Sequence, residues 1–398
     1  MRIPGLTLLM LPSAALTQSW EQLPDFPGTA RDDAALLGGK VMMVGTGMEI
    51  GFALTTDWYS LEASSNAWTS MPSLPAQPRQ YASTFADVLG FFGGLSSTGP
   101  LSDLWWFDWN MQQWMQGTPL PSFPRYAAAG IHGYGSKCYI AGGLDSTGVA
   151  TNELWEYDIF TENWTQLPNI PGPGRHRSHG FQGVGLVIVA GGADSAFTPL
   201  EDVWGFDIQT QQWAQLPSLP FGIYGGAFTG QGPNDMYILG GVTESNIYQD
   251  TVWRFMEDST AWVPFAVLPF SGGRKGAVAA ISTGWFAGVY FGTGIDSASV
   301  RHHDWYKLSL DHIPGSVQET ESSIVRSYPN PVLSVLNLDL PLHERIEVRV
   351  LDGSGRCVLS TVVTGPAQLD LSDQSPGLYL LKCTDRSGAT QHSVFIKI

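Results

Sequence analysis

Short apolar runs separated by Gly-, Pro- and Asp-rich segments fill most of the chain, a pattern typical of strands joined by tight turns. Residues 81–87, 88–92, 103–109 and 112–116 form one such group, rich in aromatic and β-branched side chains that fit a pleated, buried surface. The Pro-rich segment 70–79 before them must be a crossing loop, because proline cannot donate to a central ladder. This group therefore predicts four antiparallel strands.

Tryptophan recurs with a nearly constant period over the first 312 residues, which indicates an internal repeat. Six tryptophans form one column with intervals of 48, 46, 50, 49 and 49 residues, and a second column follows 11 or 12 residues after each glycine pair or near-pair. We expect both columns to be core residues between neighbouring sheets. The columns are Trp20, Trp68, Trp114, Trp164, Trp213 and Trp262, then Trp58, Trp105, Trp155, Trp204, Trp253 and Trp305. Trp106, Trp109 and Trp285 lie outside them and are better candidates for exposed contacts.

The glycine pairs end apolar runs at FFGG (91–94), IAGG (140–143), VAGG (189–192) and ILGG (238–241), with VGTG (44–47) and FGTG (291–294) as variants. A glycine pair followed by an aromatic residue and a tryptophan resembles the Kelch repeat. The resemblance covers residues 20–312 and implies a β-propeller with four strands per blade. We therefore predict an all-β chain, with a six-bladed Kelch-type β-propeller at residues 18–312 followed by a small β-sandwich. Because the segment around Trp20 matches later fourth strands, we expect it to complete the sixth blade.

Equivalent positions of the blades should form rings around the propeller axis. A basic ring opens the innermost strands and is predicted to bind a ligand at the mouth of the central channel, with guanidinium groups suited to carboxylates. In Kelch substrate adaptors, similarly placed arginines bind acidic ligands, and the resemblance implies the same role here. Local pairing that fixes the loops is equally compatible with the sequence. The predicted ligand-binding residues are Arg31, Arg79, Arg125, Arg175, Arg177, Tyr224 and Arg274.

A second ring is acidic and stands just before the second tryptophan column. We expect these residues to bond turn amides, since one carboxylate per blade is too far from the next to share a metal ion. The sequence predicts no metal, cofactor or catalytic residue: the motifs GxSxG, HExxH and the P-loop are absent. The histidines of RHRSH (175–179) and His302–His303 have no zinc-like spacing. The acidic ring is Asp57, Asp103, Glu153, Asp202, Asp250 and Asp304.

Composition and charge narrow the function classes. Charged residues make up 14% of the 398 residues, and the net charge is −16, which argues against a nucleic-acid partner. Three cysteines are too few for a disulfide scaffold, although Cys357 and Cys383 leave open one bond after export. No segment approaches the roughly 18 continuous apolar residues of a transmembrane helix, whereas residues 1–17 resemble a secretory signal peptide.

The C-terminal part has its own pattern, after a polar linker at residues 313–323. Residues 324–398 contain several short strands, the motif Tyr328-Pro329-Asn330-Pro331 and, later, Gly377-Leu378-Tyr379. This combination resembles the type A sorting domain of the type IX secretion system. The resemblance implies that the cargo crosses the outer membrane by this system and is released or attached to the surface. A carbohydrate-binding accessory domain is the alternative.

These observations favour an exported Kelch propeller that binds a protein or carbohydrate ligand at the cell surface or extracellularly, without catalysis of its own. The expected partners are that ligand, anionic if the arginines bind it, and the secretion machinery. A sugar-modifying propeller enzyme, sialic-acid epimerase-like or a lyase, is the alternative function. A base with a perturbed pKa beside two arginines at the channel mouth would favour the enzyme, whereas open, shallow loops would favour binding.

Overall fold

The computed structural model of the chain separates into two compact units, residues 1–311 and 312–398. The expected signal peptide (1–17) and linker (313–323) lie outside the described residues. The described residues are 19–38, 41–133, 135–230, 236–256, 261–282, 287–310, 326–328, 332, 334–339, 345–352, 356–365, 367–384 and 390–397.

The first unit contains six four-stranded antiparallel sheets, numbered here 1 to 6 in chain order. Sheet 1 contains Ala35–Leu37, Val41–Gly45, Trp58–Glu62 and Ala67–Met71; sheet 2 contains Ser83–Phe85, Gly90–Phe92, Leu104–Asp108 and Gln113–Gly117. Sheet 3 contains Ala129–His132, Lys137–Ala141, Leu154–Asp158 and Asn163–Leu167; sheet 4 contains His179–Gln182, Leu186–Ala190, Val203–Asp207 and Gln212–Leu216. Sheet 5 contains Ala227–Thr229, Tyr237–Leu239, Thr251–Met256 and Ala261–Val267; sheet 6 contains Lys275–Ser282, Gly288–Ile295, Trp305–Ser309 and Trp20–Leu23.

Shorter elements lie in the loops. Arg31–Asp32 pairs with Met48–Glu49, and Leu95–Ser96 pairs with Gly99–Pro100. Among the described residues, short 3₁₀ helices of one turn each are found at Ile50–Phe52, Ala86–Val88 and Glu244–Asn246.

The fourth strand of sheet 6 comes from the N-terminus. Trp20 pairs with Leu308 and Leu23 pairs with Trp305, so the first described strand completes the last sheet. This confirms the expectation drawn from the match between the Trp20 segment and the later fourth strands. The sheet is thereby stabilised by residues from both ends of the first unit.

The first strands of the sheets contact one another in cyclic order, from sheet 1 through sheet 6 and back to sheet 1. Aromatic side chains fill the spaces between neighbouring sheets. Trp68 of sheet 1 packs edge-on against Trp305 of sheet 6, with ring centroids 5.2 Å apart, and Trp58 lies 4.9 Å from Trp114 of sheet 2. The tryptophan columns are therefore core, as expected, and the arrangement is that of a β-propeller.

The outer tryptophans also fix the crossing loops by hydrogen bonds. The indole N–H groups of Trp68 and Trp114 donate to the carbonyls of Pro24 and Pro72, each at 2.9 Å. Each bond joins the fourth strand of one sheet to the crossing loop that leaves the previous sheet. A half-buried indole thus gains both an apolar contact and a partner for its polar atom.

The three tryptophans outside the columns differ. Trp106 stacks between Phe85 and Tyr157, 5.8 Å from each ring, and is therefore a packing residue rather than an exposed contact. Trp109 is 40% exposed, in agreement with the expectation from its position. Trp285 lies outside the described residues.

The second unit contains two antiparallel sheets that share one hydrophobic core. Val332, Leu338, Ile346, Val350 and Leu381 belong to this core and are almost fully buried. One sheet contains Arg326–Tyr328, Val335–Asp339 and Ala367–Asp370. The other contains Cys357–Thr364, Arg345–Asp352, Gly377–Thr384 and Thr390–Lys397, in that spatial order.

The cysteines of the second unit are both free. Cys357 pairs in register with Leu351, and Cys383 pairs with Val348 on the opposite side of the same strand. The disulfide that the sequence left open is therefore absent between these two residues. The third cysteine, Cys138, is buried in sheet 3.

Candidate functional site

Five of the predicted ring arginines are buried, and each forms an ion pair with the acidic residue of its own sheet. The guanidinium groups of these arginines are 0–3% exposed. The two rings that the sequence showed separately therefore meet as pairs. The pairs are Arg31–Asp57 (2.6 Å), Arg79–Asp103 (2.6 Å), Arg125–Glu153 (2.5 Å), Arg175–Asp202 (2.9 Å) and Arg274–Asp304.

Four of the five acids have a second partner two residues further along the chain, and Asp57 is the exception. The indole N–H of Trp204 donates to Asp202 at 2.6 Å, and that of Trp105 donates to Asp103 at 2.7 Å. Burial by itself raises the pKa of Asp202, but the hydrogen bonds and charge of Arg175 outweigh it and hold that pKa below its usual range. These ion pairs are the local pairing that the sequence left open as the alternative to ligand binding.

The structure also shows which residues of sheets 5 and 6 are equivalent to the ring arginines of the other sheets. In sheet 5 the residue equivalent to the ring arginine is Ile223. Its backbone amide donates to the carbonyl of Leu200, just as the amide of Arg175 in sheet 4 donates to the carbonyl of Thr151. Tyr224 is therefore one residue beyond the ring position. In sheet 6 the ring position is Arg274, twelve residues after Trp262 rather than the eleven that separate Arg175 from Trp164, because a bulge opposite Val252 and Trp253 adds a residue to the preceding strand.

Two residues beyond each of these positions, a closed ring of backbone hydrogen bonds surrounds the propeller axis. Each residue donates its amide to the carbonyl of the ring residue in the preceding sheet, over 2.7–3.2 Å, and sheet 1 donates to sheet 6. All six residues have a positive φ, between 50° and 65°. The ring residues are Asp33, Tyr81, Ala127, Arg177, Gly225 and Gly276.

Three ring residues carry functional side chains, and these form what we call the axial cluster: Asp33, Tyr81 and Arg177. Arg177 Nη2 donates to the Tyr81 hydroxyl at 2.7 Å, and the guanidinium carbon lies 4.6 Å from the Tyr81 ring centroid. The Asp33 carboxyl group is close enough to interact electrostatically with the Tyr81 hydroxyl and with Arg177. An acid, a phenol and a guanidinium group are thus connected across the axis.

The environment of the axial cluster changes its acidity. Burial raises the pKa of Asp33 to about 7, and the neighbouring charge of Asp32 adds to this effect. Asp32 itself pairs with Arg301. Burial, followed by the charge of Asp33, raises the pKa of Tyr81 well above its ordinary value. Asp33 can therefore exchange a proton near neutral pH, whereas Tyr81 stays protonated.

The space around the axial cluster is partly aromatic and basic. The Tyr126 ring lies 5.9 Å from that of Tyr81, and the Lys275 ammonium lies 5.6 Å from the Tyr248 ring. Below the ring, a cavity of about 180 Å³ runs between the first strands of the sheets. Small residues line it next to the ring: Ala34, Ala82, Gly130, Gly180, Gly226 and Ala277.

Sequence reasoning found Arg177 but missed Asp33 and Tyr81. The sequence pattern singles out no role for Asp33, and it predicts a strand over residues 81–87 that includes Tyr81. The available signal was positional: both stand two residues after a ring arginine, where sheets 5 and 6 have glycine. Recognising it requires the positive φ of this position, which favours glycine.

The histidines of RHRSH are structural. His176 and His179 are fully buried, and burial lowers the pKa of each to about 4, so both are neutral at pH 7. His302 Nε2 lies 3.0 Å from Asp296 in a loop of sheet 6. Within the described ranges, no group of three or more His, Cys, Asp or Glu residues is arranged to hold a metal ion.

In the sorting motif, Tyr379 is 6% exposed and donates its hydroxyl to the carbonyl of Ser375 at 2.7 Å. Gly377 and Leu378 begin the same strand, and Tyr328 ends the first strand of the other sheet. Pro329, Asn330 and Pro331 lie outside the described residues.

Comparisons with known proteins agree with this architecture. The KLHDC2/KLHL20/DRC7 Kelch-repeats domain matches residues 32–229, and a secretion system C-terminal sorting domain matches residues 326–397. A solved structure titled "Structure of YjhT" aligns with a TM-score of 0.61 at 17% identity, over 73% of this chain and 98% of that chain. At this identity the likeness concerns the fold alone.

The first unit is thus a β-propeller of the Kelch type. Residues 32–229 match a Kelch-repeats domain, and the chain carries a C-terminal sorting domain of the type IX secretion system at residues 326–397. The sorting domain indicates export to the cell surface or to the outside of the cell. Over the parts of the chain that the structure describes, no helix is long and apolar enough to cross a membrane.

Proposed function

We propose that residues 18–312 form a closed six-bladed propeller that binds a ligand at the axial cluster, after export directed by residues 324–398. The observation that carries this proposal is the cluster at the ring, in which Arg177 donates to Tyr81 and both influence the charge of Asp33. The closed hydrogen-bond ring and the shared sixth sheet support six blades. The ligand is a protein or carbohydrate group.

Backbone conformation supports a functional role for the axial cluster. A positive φ costs a residue with a side chain roughly 1–2 kcal/mol, and glycine avoids this cost, as it does at Gly225 and Gly276. Asp33, Tyr81 and Arg177 occupy the same conformation with large polar side chains. Residues kept in such conformations concentrate at binding and active sites.

Charge supports an anionic group on the ligand. Among the described residues, Arg177 forms no salt bridge to a carboxylate, unlike the five buried arginines, and its Nη2 donates to the Tyr81 hydroxyl. A guanidinium group offers five N–H donors, so further donors can reach a carboxylate. Lys275 adds a second positive charge to the same end of the channel. Of the predicted ligand-binding residues, Arg177 keeps this role in the proposal, and buried Tyr224 contributes to its surroundings.

A binding screen with Arg177 variants tests this function. Acidic glycans and acidic peptides are titrated against the full exported chain, against Arg177→Gln and against Lys137→Gln, a surface control in sheet 3. We expect Arg177→Gln to lose at least tenfold in affinity and Lys137→Gln to bind normally. Equal affinity of Arg177→Gln for every ligand that binds would reject the axial cluster as the site.

The second candidate function is a sugar-modifying enzyme, sialic-acid epimerase-like. The observation that favours it is the Asp33 carboxyl group with a pKa of about 7, which suits a general acid or base, beside Arg177. Turnover of acidic sugars followed by NMR, with Asp33→Asn as the variant, separates the two functions. Turnover that is lost in Asp33→Asn supports the enzyme, and binding without turnover supports the first proposal.

A further inference from the structure

Exposed apolar side chains recur on the loops at the ring end of the propeller. These loops join the second and third strands of each sheet, and they bridge to residues next to the ring, as Tyr126 does to Leu144 and Tyr224 to Val242. Five of the six loops each expose at least one large apolar side chain. We call this set the apolar rim: Ile50 (70% exposed), Phe52 (76%), Val149 (54%), Phe197 (49%), Ile247 (58%) and Val300 (51%).

Three of these loops are ordered by the same pattern of hydrogen bonds from backbone amides to an aspartate side chain. One carboxylate oxygen accepts from the backbone amides two and four residues ahead, at 2.8–3.0 Å. The carboxylates belong to Asp145, Asp194 and Asp296. A loop that is ordered before binding loses less conformational entropy when a partner arrives.

Two rim residues are held in an unfavourable backbone conformation as well as in water. Phe52 has φ 66° and Phe197 has φ 60°, a region that bulky side chains rarely adopt. Exposure of each ring to solvent adds a further cost, since burial of a phenylalanine side chain is worth roughly 1.5–3 kcal/mol. A partner that covers the rings would recover the cost of their exposure to water.

The loops that carry the rim are strongly acidic. Residues 46–57, 93–103, 142–153, 191–202, 240–250 and 292–304 contain no lysine and one arginine, Arg301, whose side chain is 9% exposed and paired with Asp32. Besides the acidic ring, these loops contain the acidic residues Asp145, Asp194, Glu201, Glu244 and Asp296. A surface of opposite charge is therefore favoured.

We propose that the apolar rim is the docking surface for a protein partner whose contact surface is apolar at its centre and carries lysine and arginine at its edge. This inference rests on the proposed binding function and adds a second, larger contact around the axial cluster. A partner on the rim covers the mouth of the channel and shields the axial cluster from water. The acidic loops disfavour an anionic lipid surface.

Two labelled peptides of equal length test the proposal, one alternating leucine with lysine and one alternating leucine with glutamate. The full exported chain is compared with the double variant Phe52→Ser/Phe197→Ser and with Phe160→Ser. Phe160 is a matched control, because it is 66% exposed on an outer hairpin of sheet 3. We expect the leucine–lysine peptide to bind the natural chain and Phe160→Ser alike, and the double variant at least tenfold more weakly.

Each contrary result is distinguishable. Equal binding of the leucine–glutamate peptide, or equal loss in Phe160→Ser, overturns the proposal. So does rim-dependent binding to phosphatidylglycerol vesicles, or rim-dependent dimerisation in sedimentation, because the occupant would then be lipid or a second copy. Arg177→Gln distinguishes binding at the rim from binding at the axial cluster. If both proposals hold, this variant binds acidic ligands more weakly and binds the leucine–lysine peptide as the natural chain does.

Discussion

Arg79 and Asp103 meet through two parallel hydrogen bonds, Nη1 to Oδ1 at 2.6 Å and Nη2 to Oδ2 at 2.8 Å, with the guanidinium group fully buried. Removal of one partner leaves the other charge without compensation in a poorly solvated place. We expect Arg79→Ala to lower the free energy of unfolding by about 3 kcal/mol, measured by urea denaturation.

An exposed pair provides the control for this substitution. Arg349 and Glu347 form an ion pair whose side chains are 53% and 42% exposed, and pairs of this kind contribute about 0–1 kcal/mol. Arg349→Ala should therefore leave stability almost unchanged. If both variants lose the same amount, the buried pair has no special role.

The ring allows a reciprocal test of backbone conformation. Ala127 has φ 55° and Gly225 has φ 65° at equivalent positions, and a Cβ added to Gly225 would meet only ordinary contacts with Arg177 and Lys275. Ala127→Gly should raise the free energy of unfolding by about 0.5–1 kcal/mol, and Gly225→Ala should lower it by about 1 kcal/mol. Changes of the same sign in both variants would contradict this explanation.

The buried histidines make stability depend on pH. The pKa of His176 and His179 is about 4 in the folded chain and about 6.5 when unfolded, so the unfolded chain binds more protons between these values. Stability should be highest above pH 6.5 and should fall as the pH is lowered to 4. Urea denaturation across this range, with His179→Gln as the variant, checks the slope; a slope that is equally steep in the variant would exclude His179 as a cause.

Asp33 should have the opposite effect. Its pKa is about 7 in the folded chain and about 3.8 when unfolded, so its charged form destabilises the folded chain as the pH rises from 3.8 to 7. Asparagine removes the charge and tolerates a positive φ. Asp33→Asn should therefore be more stable than the natural chain at pH 8, on the order of 1–2 kcal/mol, and nearly equal at pH 4. Equal stability at both pH values would show that the Asp33 carboxyl group is not perturbed.

Deletion of residues 324–398 in the native host tests the role of the second unit. Since this region matches a sorting domain, we expect the propeller to stay in the periplasm, as measured by fractionation and immunoblotting. A full-length chain with Cys357→Ser serves as the control, because Cys357 is an exposed, free cysteine. Normal export of the truncated chain would remove the sorting role.

The sequence predicted the repeat well because each blade repeats the same packing. The tryptophan columns, the glycine pairs and the return of Trp20 to the last sheet follow from residue types at fixed spacing. The site was harder to predict, because buried Arg175 and partly accessible Arg177 differ by two positions in the same strand opening. Which of them pairs with an acid depends on three-dimensional neighbours up to 27 residues away, such as Asp202 for Arg175.

The pairing of Trp20–Leu23 with Trp305–Ser309 also determines when sheet 6 can fold completely. Trp20 and its partner Leu308 are 288 residues apart in the sequence. Until Trp305–Ser309 is present, Trp20–Leu23 has no strand to pair with, and sheet 6 stays incomplete. The last sheet therefore cannot form in full before nearly the whole first unit is available.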